Sequence, residues 1–382
     1  MKNKFICLFL FILILLQSVF SIMQLSTAQR MIILTIEIIG LMTLFFNLVS
    51  LVNRRISCYI ILYIWYVLFN SFISSNHLFN LAYTITDVLW WPSIFILFYI
   101  ACHKRCFKWE SMLVIFLINS LLYFNEISGR IIAFENLRTN TIFYIITLTP
   151  FIMLIKKLAI REFLLFFIII CSIISGKRSA MIAMGIILLI ELYRVYRCSY
   201  HKTAIIIVTC ASFVGLATVV YSIESTLGIS FIERFQGIQD DGGSGRIDAY
   251  SQVLQHYSEL PLLSKFVGRG HNAVRVENFV RLEYSNDETL SAHNDFLEIL
   301  YDYGIIGLLL YLIFMIQIIK LITKMKCHSP HYYTTLYSII IWGVMSLFSH
   351  LILYPTYFAY LIIFWTYIYS QREKQISTYN SI

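Results

Sequence analysis

Long apolar runs, each closed by a short polar or basic stretch, recur along all 382 residues of the chain. Runs of roughly 17 to 25 apolar residues are what a helix needs to cross the hydrocarbon core of a bilayer. They fall near 5–22, 31–52, 58–76, 78–101, 110–127, 140–155, 162–175, 179–193, 203–222, 304–322, 333–353 and 356–370. The pattern predicts an all-α polytopic membrane protein of about twelve transmembrane helices. Residues 1–222 hold nine of them, 223–303 form one large loop, and 304–382 hold three more with a short tail. Lys2 and Lys4 precede the first run and Ser26-Thr27-Ala28 would pass for a cleavage site, so a signal peptide is one reading. A retained helix is the reading taken, because the later spans drive insertion without a cleaved signal.

Composition agrees. Apolar residues make up 59% and charged residues 13%, where soluble globular chains carry about 25% charge, and the mean hydropathy of +0.76 excludes a soluble domain. Lysine and arginine then set the orientation. With the N-terminus cytoplasmic, every cytoplasmic connection carries at least two of them, from Lys2 and Lys4 through Arg54 and Arg55 to Arg372 and Lys374. These connections hold 18 of the 29 basic residues, and both termini are expected inside. The long outer loop has six basic and 13 acidic residues. The formal charge of +8 is therefore a membrane-topology signal, and nucleic acid is not an expected partner. None of the eight cysteines lies in an outer loop, so structural disulfides are not expected. Cys102-His103 with Cys106 lacks a second ligand pair, and no metal site is expected there.

Loops of roughly 80 residues are usually functional or contain structure of their own. This one opens with a Gly-, Ser- and Asp-rich stretch, Ser225 to Gly245. An amphipathic helix is predicted next, with Ile247, Tyr250, Val253, Leu254 and Tyr257 on its apolar face. Turns follow at Gly268-Arg269-Gly270 and Asn286-Asp287. A further helix begins near Asp295, capped by Asn294 or Asp295, with Glu298 in capping-box position behind Asp295. It runs through Gly304 and Gly307 into the tenth span.

Chemistry is sought where polar residues stand at the bilayer edge. His293 precedes that helix, where the macrodipole disfavours imidazolium and leaves a ring able to accept a proton. A general base and a loop histidine that only hydrogen-bonds both fit the position. Lys177 and Arg178 stand adjacent in an outward connection with no acid beside them, against the positive-inside trend. Snorkelling to headgroups and a bidentate grip on phosphate are both open. Arg246 ends a glycine-rich turn that enters a helix, a place where backbone N–H groups cradle anions. Arg269, Arg275 and Arg281 have Glu277 and Glu283 as surface partners. Glu37, Asp87 and His350 fall in the outer halves of their spans, and such groups line cavities or find partners. Glu191, near a cytoplasmic end, is expected to snorkel.

His293-Asn294, nine residues, then Gly304-Ile-Ile-Gly307 resembles the signature closing the large periplasmic loop of the O-antigen polymerase and O-antigen ligase superfamily. Ser175-Gly-Lys-Arg178-Ser is similar to that family's arginine-bearing break between helices. Ser244-Gly245-Arg246 and Gly268-Arg269-Gly270 resemble the middle of its loop. The motifs span residues 140–320 and the topology spans the chain. The resemblance implies a GT-C-like, metal-independent glycosyltransferase in the cytoplasmic (inner) membrane, with no cofactor. Arg178, Arg246 and Lys177 would hold the pyrophosphate of an undecaprenyl-diphosphate-linked oligosaccharide, and His293 would activate the acceptor hydroxyl. Arg269, Asn294, Asp87, Glu37 and His350 would support them. Membrane lipid, a chain-length regulator and a flippase are the implied partners. Ligases of the family place Leu four residues after the loop arginine, whereas Tyr250 stands here, which tilts the reading from ligase to polymerase. A transporter of lipid-linked sugar is the reading from another class. It would place its key charges at the midplane of two related halves, and no internal repeat is visible.

Overall fold

The computed structural model describes residues 2–52, 55–74, 84–133, 139–198, 245–281, 290–323, 329–352 and 357–379, with a few isolated positions. Apart from isolated positions, the ninth predicted span (203–222) lies outside the described residues, as do the loop's first part up to Ser244 and the Asn286-Asp287 turn. Every described element is helical. In chain order these are α1 (Lys2–Ile22), α2 (Ser26–Val52), α3 (Arg55–Ile73), a π turn (Thr84–Val88), α4 (Trp90–His103), α5 (Ser111–Ile132), α6 (Ile142–Ile146) and α7 (Thr149–Ile152). Then come α8 (Leu158–Ile174), α9 (Arg178–Cys198), α10 (Arg246–Glu259), α11 (Leu262–Val267), α12 (Ala273–Glu277), α13 (Asp295–Thr323), α14 (Pro330–Phe348) and α15 (Phe358–Tyr379).

Six of the described helices are long and apolar enough to cross a membrane. Their outer surfaces confirm the solvent they face: Phe45, Phe46 and Val49 of α2 and Leu121 of α5 are largely exposed. Serines, threonines and asparagines are turned inward instead, as in Ser18, Asn119 and Ser172. This is a multi-pass membrane protein. Among the described residues, two apolar runs do not become long helices. The run near 140–155 forms the short α6 and α7, because Pro150, in the first turn of α7, has no N–H with which to continue α6. The run near 78–101 becomes a π turn followed by α4.

The interior is aromatic. Trp91 of α4 is fully buried and packs on Tyr63 of α3 (ring centroids 5.2 Å), Phe314 of α13 (5.3 Å) and Phe358 of α15 (5.9 Å). Such pairs contribute about 0.5–1.5 kcal/mol beyond the area they bury. Polar ties add specificity where lipid supplies no partners. Ser18 Oγ donates to Asn119 Oδ1 (3.1 Å), and Asn119 Nδ2 donates to the Tyr360 hydroxyl (3.2 Å), linking α1, α5 and α15. Glu191 does not snorkel. It is 2% exposed, held by Arg161 (3.3 Å), Arg194 and the Tyr337 hydroxyl, since a carboxylate at that depth must be paired.

The long α13 breaks at Gly304, whose φ of 64° and ψ of −173° no other residue adopts easily. Its first segment carries the described part of the loop, α10 to α12, as a small helical cap. Ala249, Val253, Ala273, Val274 and Tyr301 form a separate core there. The face of α10 is rotated from the predicted one. Ala249 and Val253 are buried, whereas Ile247 and Leu254 are exposed, because the Tyr250 hydroxyl reaches back to Leu347 O at the end of α14 (2.6 Å).

Candidate functional site

Helix ends converge on one end of the bundle: the C-termini of α1, α5 and α14 and the N-termini of α9, α10 and α13. Between them lies a cavity of 620 Å³, within the range of small-ligand sites. Lys177, Arg178 and Arg246 all line it. Gly176 (φ 59°) turns the chain just ahead of Arg178 at the start of α9. Gly245 (φ 72°) does the same for Arg246 at the start of α10. The first residues of two helices, with the partial positive charge of a helix N-terminus, thus line the cavity together with three cationic side chains, an arrangement suited to a multiply charged anion.

His293 lines the same cavity. Its φ of 53° is left-handed, rare outside glycine and asparagine and common at sites where a side chain must be aimed. The aim is fixed on both sides. Asn294 caps α13, its Oδ1 accepting from Phe296 N (3.0 Å) and Leu297 N (3.2 Å). With Asn294 as the cap, Glu298 is not in capping-box position. It is buried, with Oε2 3.5 Å from His350 Nδ1. His350 also lines the cavity. Its ring lies 4.6 Å from that of His293, and its Nε2 is 2.7 Å from Ser291 Oγ. Asp295, fully buried, accepts from Leu351 N at 3.1 Å and so clamps the break after α14 to the first turn of α13. That break, where the predicted span 333–353 ends early at Phe348, is what brings the second imidazole to the first.

Burial is the main influence on His293, and it disfavours the charged ring. His350, Arg246 and Lys177 act in the same direction and Glu298 opposes them, so the imidazole is pushed down to about 4. The ring is neutral at pH 7 and able to receive a proton.

The remaining predicted residues lie elsewhere. Arg269 Nε is 2.8 Å from Glu277, whose other oxygen accepts from the Tyr301 hydroxyl (2.6 Å). The turn bearing Arg269 is stitched to α13 through Gly270 N and Asp302 O (2.8 Å). Asp87, in the π turn, lies 3.5 Å from His271 Nε2, and His271 Nδ1 meets the Tyr303 hydroxyl (3.0 Å). Glu37 is 1% exposed within α2. Among the described residues no group of three or more His, Cys, Asp or Glu side chains is placed to hold a metal ion.

One part of the wall escaped the sequence reading. Glu126 and Arg130 of α5 and the Thr139–Thr141 segment also line the cavity. The available signal was a Glu and an Arg four residues apart at the end of an otherwise apolar run.

A multi-pass helical membrane protein, with a cation- and histidine-lined cavity beneath a helical cap, is the class defined here. Residues 163–312 match the model of the family described as O-Antigen ligase, which over this segment supports the resemblance to the O-antigen polymerase and ligase superfamily. The matched region holds Lys177, Arg178, Arg246 and His293, while Glu126, Thr139 to Thr141 and His350 fall outside it. No curated protein matches the chain.

Proposed function

We propose that this protein is a polymerase of undecaprenyl-diphosphate-linked oligosaccharide repeat units, of the O-antigen or capsule type. It works at the outer face of a bacterial cytoplasmic membrane with both termini inside. One observation carries this reading: three cations and a neutral imidazole, far apart in sequence, line one cavity. The helix ends around that cavity are all outer ends in the alternation set by lysine and arginine, which supports the sidedness. A midplane site between related halves, as in a transporter, is a different geometry.

In the proposed step the nascent chain's diphosphate lies against Lys177, Arg178 and Arg246. The terminal hydroxyl of an incoming lipid-linked unit attacks the anomeric carbon and gives its proton to His293. The new glycosidic bond forms as the bond to the diphosphate breaks. Undecaprenyl diphosphate leaves with the electron pair, its charge met by the cations. The diphosphate also acts on the base. Neutralising Arg246 and Lys177 removes part of what holds His293 low, so the ring becomes more basic once donor is bound.

The family description equally supports a ligase that transfers glycan to lipid A core. A gene deletion in a Gram-negative host separates the two. The polymerase reading expects single repeat units on the core. Bare core with accumulated lipid-linked polymer would make the protein a ligase, and an unchanged ladder would refute both.

A further inference from the structure

The cation side of the cavity accounts for a diphosphate and leaves the rest of its wall unexplained. That wall is built on Glu126. Its Oε1 accepts from Arg130 Nε (3.1 Å) and Nη2 (3.0 Å), and its Oε2 accepts from the hydroxyls of Thr139 (2.7 Å) and Thr141 (2.5 Å). Thr139 Oγ1 also accepts from Thr141 N (3.1 Å). The Glu126–Arg130 pair is formally neutral, so this wall adds no net charge for a phosphate. Because both threonine hydroxyls spend their protons on Glu126, they present oxygen lone pairs to anything else in the cavity. Asn140, between them, is exposed and lines the cavity, offering an amide that both donates and accepts. Tyr144 and Tyr357 complete the wall, their rings 5.4 Å apart and nearly perpendicular.

We infer that the Glu126–Thr139–Asn140–Thr141 wall, with Tyr144 and Tyr357, is the glycan subsite of the cavity. It binds the uncharged, hydroxyl-bearing sugar of the lipid-linked unit, while Lys177, Arg178 and Arg246 bind the diphosphate. This rests on the proposed function and deepens it. Lone-pair acceptors and an amide match sugar hydroxyls, and aromatic rings cover the C–H face of a sugar. Glu126 is a positioning residue that orients both threonines, and Asn140 is the group that touches sugar. The wall lies outside the matched family region, so sugar choice and phosphate chemistry reside on separate stretches of the chain.

The test uses the full-length protein in nanodiscs and two probes. One is undecaprenyl diphosphate. The other is the lipid-linked repeat unit extracted from cells lacking this gene. The wild type is expected to bind the repeat unit more tightly than the bare lipid diphosphate. Asn140→Ala should erase at least five-fold of that preference, with binding of undecaprenyl diphosphate unchanged within two-fold. Glu126→Gln should do the same, and Arg246→Gln should weaken both probes together. Wild-type preference in Asn140→Ala and Glu126→Gln would overturn the inference, as would equal loss of both probes in Asn140→Ala. The function is read separately from the same preparation: a wild type that binds repeat units and never elongates them sinks the polymerase reading and leaves the subsite standing.

Discussion

His293 is held by its surroundings in a left-handed backbone conformation and in the neutral form, and both have measurable consequences. Removing a general base costs about 100- to 10,000-fold in rate. His293→Ala should lose chain elongation to that extent while inserting into the membrane normally, and a ladder of wild-type length in that variant would remove the base assignment. The pH profile follows from sign. A group pushed down to about 4 stays unprotonated from pH 7 to about 5, so kcat/KM should be flat over that interval and fall only toward pH 4. Bound diphosphate raises the ring, so the acid limb of kcat should lie at higher pH than that of kcat/KM. An acid limb of kcat/KM near 6.5, the ordinary histidine value, would mean that the cavity does not shield the ring. Arg178→Lys keeps the charge and loses the fork. The loss of one charge-assisted bond, about 1.5–3 kcal/mol, predicts roughly ten-fold or more weaker binding of undecaprenyl diphosphate. Full binding by the lysine variant would reduce Arg178 to an anchor at the bilayer surface.

Among the elements, α13 does the most. Its first segment places His293 and Glu298, its break at Gly304 redirects the chain into the bilayer, and Gly268 of the cap closes against that break. A Cβ on Gly304 would stand 2.3 Å from Phe266 O, and one on Gly268 would stand 2.3 Å from Asp302 O. Both glycines also have positive φ, at 64° and 91°. Gly304→Ala therefore meets a backbone clash as well as conformational strain of about 1–3 kcal/mol. Its expected outcome is faster proteolysis of the cap at Lys265 and Arg269, with the membrane helices intact. Gly129→Ala, where a Cβ meets nothing within 4 Å, serves as the control. Equal protease resistance in the two variants would show that cap and helix are not locked as described.

At the scale of the whole molecule the question is sidedness. Starting from a chain with serine in place of the native cysteines, Ile247→Cys on the cap and Lys104→Cys after α4 test it in spheroplasts. A membrane-impermeant maleimide should label position 247 at once and position 104 only after lysis. The reverse pattern, or labelling of both, would place the cavity on the wrong face for lipid-linked glycan.

Much of this was legible in the chain. Apolar run length located the described membrane helices, because a bilayer fixes how far a helix must extend. His293, Lys177, Arg178 and Arg246 stood out as polar groups at the ends of apolar runs, which is a local property. The sequence also indicated an N-cap at Asn294 or Asp295, since N-cap chemistry needs only its own neighbours, and the structure settles it on Asn294. The sequence did not reveal that Asp295 clamps Leu351 and so delivers His350 to His293, that Glu298 meets the imidazole of His350, or that Thr139 and Thr141 converge on Glu126. Those relations join residues from separate helices, and helix packing, which no local pattern encodes, decided which ends share a cavity.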